Sequence, residues 1–169
     1  MYSVNCSPEG PMTEAVSSAT QRYFEDVAVG DEFVVLQQPT TVHVISFLNN
    51  GHSGRPANAM NGRFTDPEVA KAQGFPKPIV PGVMSAAMMT RVVTDWMGSM
   101  GRIVSLDVSF RRPVMHDDEL RCVALVTDRG GEDFEPGGPG LISLDVTLEN
   151  DRGEKPLQAA AVVELPRRG

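Results

Sequence analysis

The sequence predicts an α+β domain in which one antiparallel sheet wraps a single long helix. Two observations carry that prediction. Residues Gly82 to Met97 (GVMSAAMMTRVVTDWM) form a long, mostly apolar helical stretch, and a helix apolar on most faces is expected to be buried. After it the period changes: Val104, Leu106, Val108 and Phe110 alternate with polar residues, as in a half-buried strand, and three further strand-like runs follow. The order is therefore one strand, short helices, the long helix and four strands, which suits a sheet packed on one helix.

At 169 residues the chain has the length of one domain, on the usual scale of roughly 100–200 residues each. Residues 1–20, rich in Ser, Thr, Pro and Glu, read as a flexible extension, and residues 21–169 as the domain. Hydrophobic residues make up 41% and there are 16 glycines, so the chain sits near the globular average and can bury a core. No run of 18 apolar residues occurs, so no membrane span is expected, and the start MYSVNCSPEG lacks the basic and apolar regions of a secretory signal. Cys6 and Cys122 make neither a disulfide framework nor a metal site, and a reducing cytoplasm is the simplest compartment. The net charge of −7 repels phosphate backbones and argues against a nucleic-acid partner. An anionic ligand would need local basic residues, and Arg91, Arg102, Arg111 and Arg112 are possible suppliers.

Along the chain, Val29-Gly30-Asp31-Glu32 is a turn, Glu32 to Gln37 a strand, and Pro39 its end. Thr40 or Thr41 caps a short helix through Asn50, with Val44, Ile45, Phe47 and Leu48 at helical spacing. Gly51 to Phe64 (GHSGRPANAMNGRF) is irregular and polar, a loop long enough to be functional. Thr65-Asp66-Pro67-Glu68 opens a second helix that runs to about Gln73 and stops at Gly74. Pro76, Pro78 and Pro81 then keep the chain extended. Ser85, Ala86 and Ala87 on the long helix would let a sheet approach closely. The remaining strands are Leu120 to Thr127, Leu141 to Leu148 and Leu157 to Leu165, with turns at Gly130-Gly131 and Asn150 to Gly153 and a longer loop from Glu132 to Gly140. Edge strands of such a sheet invite a second copy, so a dimer is expected.

Five segments together, YFEDVAVGDEF, TDPEVAKAQGF, IVPGVMSAAMMTRVVTDWMG, LDVSFRRPVMHDDELRCVALV and NDRGEKPLQAAAVVELP, resemble the MaoC-like hydratase/dehydratase family of the hot-dog superfamily. They span about Tyr23 to Pro166 in the family's order. The resemblance implies a hot-dog fold, an acyl-coenzyme A or acyl-carrier-protein thioester as partner, water addition or removal, and no cofactor or metal. In the family an Asp and a His, within a stretch written GDxNPxH, act as base and acid, and a backbone N–H at the start of the long helix polarises the thioester carbonyl.

The Asp–His dyad is not found here. Counted back from Asp66, the family's Asp, Asn and His fall on Ala59, Asn61 and Phe64; counted forward from Phe47, they fall on Ser53, Arg55 and Asn58. Pro81 stands where the family has His, while Gly82 still fits the carbonyl-polarising position. His52, at the start of the loop, is the candidate displaced acid/base, because imidazole titrates near neutrality; it equally suits a solvent-exposed turn. Asn58 or Asn61 would orient water or bond a carbonyl, or simply satisfy backbone groups, and Arg55 and Arg63 would pair with a carboxylate or phosphate of a ligand or be plain surface. Gly82, Val83 and Met84 are the expected substrate contacts on the long helix, with Met84, Met88 and Met89 either core filler or an adaptable acyl wall. His43 and His116 read as structural. Three functions fit: a hydratase/dehydratase with a non-standard site, a non-catalytic hot-dog subunit paired with a second hot-dog protein, or a hot-dog cyclase with changed chemistry.

Overall fold

The computed structural model describes residues 21–50, 62–130 and 140–168; the expected extension, residues 1–20, lies outside them. Strand β1 (Glu32–Gln37) is followed by helices α1 (Thr41–Asn50), α2 (Pro67–Ala72) and α3 (Gly82–Met97). Strands β2 (Arg102–Phe110), β3 (Leu120–Gly130), β4 (Gly140–Asn150) and β5 (Leu157–Leu165) complete the fold. The elements anticipated from the sequence are all present, and one 3₁₀ turn, Phe24–Asp26, was not anticipated.

The strands form one five-stranded sheet in the order β1-β3-β4-β5-β2, antiparallel throughout. The strands at its two edges are therefore the two that flank the helices in sequence. Strict alternation on β5 buries Leu157, Ala159, Ala161, Val163 and Leu165, and β4 alternates likewise through Ile142, Leu144, Val146 and Leu148. These side chains form one core with Met89, Val92, Val93 and Trp96 of α3. Each such side chain contributes roughly 1.5–3 kcal/mol on leaving water, and this burial, more than helix propensity, holds α3 in place.

The expectation that α3 is buried on most faces is corrected. Its buried face is Ser85, Met89, Val92, Val93, Trp96 and Met97, whereas Val83, Ala87 and Arg91 are exposed. The reason is geometric: a single sheet covers only one side of a helix. Of the three small residues, only Ser85 reaches the sheet-facing side, at 2% exposure.

Helix starts follow the anticipated signals. On α1 the cap is Thr40, whose Oγ1 accepts from the His43 amide (3.4 Å) while His43 Nδ1 accepts from the Thr40 amide (3.3 Å). On α2 the Asp66 carboxylate accepts from the amides of Glu68 (2.9 Å) and Val69 (3.3 Å), and Pro67 takes the first position. The 3₁₀ turn is clasped to the other end of the chain. The Phe24 amide donates to the Pro166 carbonyl (2.9 Å), and the Phe24 ring lies under Arg129 and Arg167, 4.5 and 4.3 Å from its centroid.

Candidate active site

Long helix α3 begins without a cap. Pro81 has no side-chain donor or acceptor, and among the described residues no side chain caps the first turn, although the Ser85 amide reaches back to the Pro81 carbonyl (3.0 Å). The first-turn N–H groups of a helix have no partner within it and carry its positive dipole end, so they are available to an oxygen of a ligand. Gly82 supplies one of them, and lacking a side chain it leaves its surroundings open. A Cβ there would meet the Phe110 ring at 3.4 Å.

A cavity of about 310 Å³ opens at this point. Its apolar walls come from Phe64, Ile79, Val80, Phe110, Val114 and Leu157. Its polar lining is Gly82, Ser85 and three arginines, Arg63, Arg111 and Arg112. The wall is held together by backbone pairing: Ile79 N–H to Arg63 carbonyl (3.0 Å), Val80 N–H to Val114 carbonyl (2.8 Å), and Arg111 N–H to Pro156 carbonyl (2.8 Å). The extended path imposed by Pro76, Pro78 and Pro81 is what lets residues 78–80 bridge the two sides. Among the described residues the lining contains no carboxylate and no imidazole.

The arginines differ in state. Arg112 is bonded to Glu154 (2.8 Å), and Glu154 also accepts from Asn150 (2.9 Å) and Arg152 (3.2 Å). The Asn150 amide and the Arg152 guanidinium hold the Glu154 carboxyl below its ordinary value, so the pair with Arg112 persists into mild acid. Arg152 in turn bonds Asp118, whose carboxylate is almost wholly buried and also accepts from the Met115 amide (2.9 Å). This chain of charges fixes the turn between β4 and β5 against the 115–118 turn beneath the cavity. Arg63 stacks over Phe64, 5.2 Å from the ring centroid.

The anticipated site residues fall into two groups. His52, Arg55, Asn58 and Asn61 lie outside the described residues. Gly82 lines the cavity; Val83, the next residue, is 74% exposed and does not, and Met84 packs half-buried against the core. Met89 is fully buried and Met88 half-buried against the same core, and none of the three methionines lines this cavity. Phe64, where one register puts the family's His, contributes an apolar ring to the wall. Sequence reasoning did not single out Phe110 or Ser85 for the site. The alternation that marks Phe110 as a strand residue says nothing of its position beside Gly82.

The remaining histidine and cysteine are structural in setting. His116 is 2% exposed, its Nδ1 within hydrogen-bond distance of Thr41 Oγ1 (3.0 Å), and its Nε2 is buried with no partner among the described residues. Burial pushes its imidazole below the ordinary value, against the Asp117 charge and the carbonyls of Phe64 and Ile79. Cys122 is a free, buried thiol that burial pushes up to about 11, so it is inert. Among the described residues no cluster of His, Cys, Asp and Glu is placed to hold a metal, and no helix is long and apolar enough to cross a membrane.

Residues 64–136 match the family model of the MaoC like domain. The fold superposes on an (R)-hydratase from A. caviae involved in PHA biosynthesis, at 22% identity and a TM-score of 0.69, over 84% of this chain and 99% of that one. A MaoC-like dehydratase from Rhodospirillum rubrum gives 21% identity and 0.68 over 88% and 99%. The ChsH1-ChsH2 complex from Mycobacterium tuberculosis gives 20% and 0.65 over 82% and 98%. No curated protein matches the sequence. The matched stretch runs from Phe64, through the start of α3 and past the end of β3, so the whole described cavity wall except Arg63 and Leu157 lies within it. Residues 64–136 are thus similar to the MaoC like domain, and the chain has the α+β hot-dog fold of these solved structures.

Proposed function

We propose that the chain is a hydratase or dehydratase of acyl thioesters, carried by coenzyme A or acyl carrier protein, with a non-standard active site. The observation that carries this reading is the cavity at the uncapped start of α3 with Gly82 in its wall. The Gly82 amide would donate to the thioester carbonyl, where the helix dipole favours the enolate-like oxygen that forms as the α-proton leaves or returns. His52 would move that proton and Asn58 or Asn61 would orient the water; Arg55 would contact the substrate, and Val83 and Met84 would support the carbonyl-binding turn. The relatives include hydratases and dehydratases by name, which supports this substrate class. The test is hydration of crotonyl- to decenoyl-thioesters by the purified protein, followed by loss of the thioester's ultraviolet absorbance. Turnover that His52→Ala reduces by about 10²–10⁴-fold, the usual worth of acid–base catalysis, is the expected outcome. Inactivity on every chain length would sink the reading.

A second reading, a non-catalytic subunit paired with a second hot-dog protein, is favoured by one observation: the described lining lacks both a carboxylate and an imidazole. The similarly folded ChsH1-ChsH2 complex, which has two components, lends it support. Co-purification from the native host with a hot-dog protein bearing an Asp–His dyad would favour it, and an active homodimer would exclude it. Either assembly would use the outer edge of β2, which among the described residues pairs only with β5 and exposes Val104 and Phe110, the latter in the cavity wall. We place this work in the cytoplasm, since Cys122 is free and buried.

A further inference from the structure

Six of the twelve arginines of this acidic chain form ion pairs among the described residues. Arg91 pairs with Asp95 (3.2 Å), Arg102 with Glu164, Arg112 with Glu154 (2.8 Å), Arg121 with Glu32 (3.9 Å), Arg152 with Asp118 (3.1 Å) and Arg168 with Asp26 (2.8 Å). Arg63 and Arg111 form no ion pair among the described residues, and both line the cavity at the start of α3. Arg111 is anchored only by its backbone N–H, to Pro156. It also borders a groove of about 250 Å³ beside Asp107 and Asp145 on the sheet, and neither carboxylate pairs with it. Arg63 has its guanidinium over the Phe64 ring, which directs it without neutralising it. A protein of net charge −7 thus places two arginines without an ion pair in the lining of one cavity whose described residues include no carboxylate.

We propose that Arg63 and Arg111 form an anion subsite of this cavity, which selects substrates bearing a phosphate or carboxylate oxyanion in addition to the thioester. The inference rests on the reading of the cavity as a thioester site. The guanidinium is permanently charged and its planar fork matches a phosphate or carboxylate with two parallel bonds. An anion bound by both guanidiniums offsets their like charge, so binding couples to charge rather than to acyl length. Arg112 is spent on Glu154 and serves the wall. The oxyanion has two chemical sources, the phosphates of the carrier or a carboxylate on the acyl chain.

The experiment is calorimetric titration of the full chain with three probes. Coenzyme A carries phosphates without an acyl group, crotonyl-N-acetylcysteamine carries the thioester without an anion, and 3-carboxyacryloyl-N-acetylcysteamine carries thioester and carboxylate. Wild type, Arg63→Gln, Arg111→Gln, the double variant and Arg91→Gln as a surface control are compared, each with its folded state checked by circular dichroism. At least one anionic probe is expected to bind tenfold or more tightly than the crotonyl compound. That advantage should vanish in the double variant, persist in Arg91→Gln and shrink as salt rises from 50 to 300 mM. Preference for coenzyme A assigns the anion to the carrier, and preference for the carboxylate assigns it to the acyl chain. Equal binding of all three probes, or anionic binding unchanged in the double variant, overturns the subsite. Anion-selective binding without turnover of any thioester leaves the subsite standing and sinks the hydratase reading; turnover of the crotonyl compound without anion preference does the reverse.

Discussion

His116 is the side chain whose setting makes the sharpest single-residue prediction. Its ring is buried between Thr41 and the 78–79 segment, with Nε2 unbonded among the described residues. A charged imidazole there would lose its hydration, which is why burial lowers its proton affinity from the ordinary 6.5. In the window below 6.5 the unfolded chain therefore binds more protons than the folded one. The stability that the neutral ring contributes is present above 6.5 and is lost as pH falls toward the folded value. Urea midpoints at pH 7.5 and 5.5 should show a drop in wild type that His116→Gln makes smaller; equal drops would refute the assignment. Gly140 gives a steric counterpart. An added Cβ would overlap the Phe24 ring, which two guanidiniums hold in place. Gly140→Ala is expected to destabilise by about 1–3 kcal/mol, as overpacking does, and the same denaturation assay reads it.

At the scale of elements, helix starts carry distinct work. Asp66 caps α2 with two amide bonds, so Asp66→Ala should cost about 0.5–2 kcal/mol in chemical denaturation with the cavity's Gly82 side unchanged. The caps and strands were readable because they depend on neighbours a few residues away: Asp66-Pro67 announces α2, and the alternation of β5 announces a sheet face. Strand edges ran further than expected, β2 starting at Arg102 and β3 reaching Gly130, because pairing partners extend a strand past its apolar pattern. The exposure of Val83 and Ala87 was not readable, since it depends on which side of α3 the sheet covers. The meeting of Arg63 and Arg111 at one cavity was equally hidden. They are far apart in sequence, and only the pairing of the 78–80 segment with Arg63 and Val114 brings them together.

For the whole molecule, the side of β2 that is unpaired among the described residues predicts assembly. A strand edge that exposes Val104 and Phe110 beside the cavity is a template for a second strand. Light scattering at micromolar concentration should report a dimer or a larger even assembly, and Val104→Lys should shift it toward monomer while the melting transition stays cooperative. A monodisperse wild-type monomer would exclude the β2 interface. The clasp at the opposite end has another consequence. Because Phe24 bonds Pro166 and Arg168 reaches Asp26, the chain enters and leaves the domain at adjacent points. A unit with that layout can be spliced into a loop of another protein or duplicated in tandem through a short linker, with neither copy forced to unpair its sheet. Joining residue 168 to residue 21 of a following copy would then place two cavities on one polypeptide, each free to diverge in what it accepts.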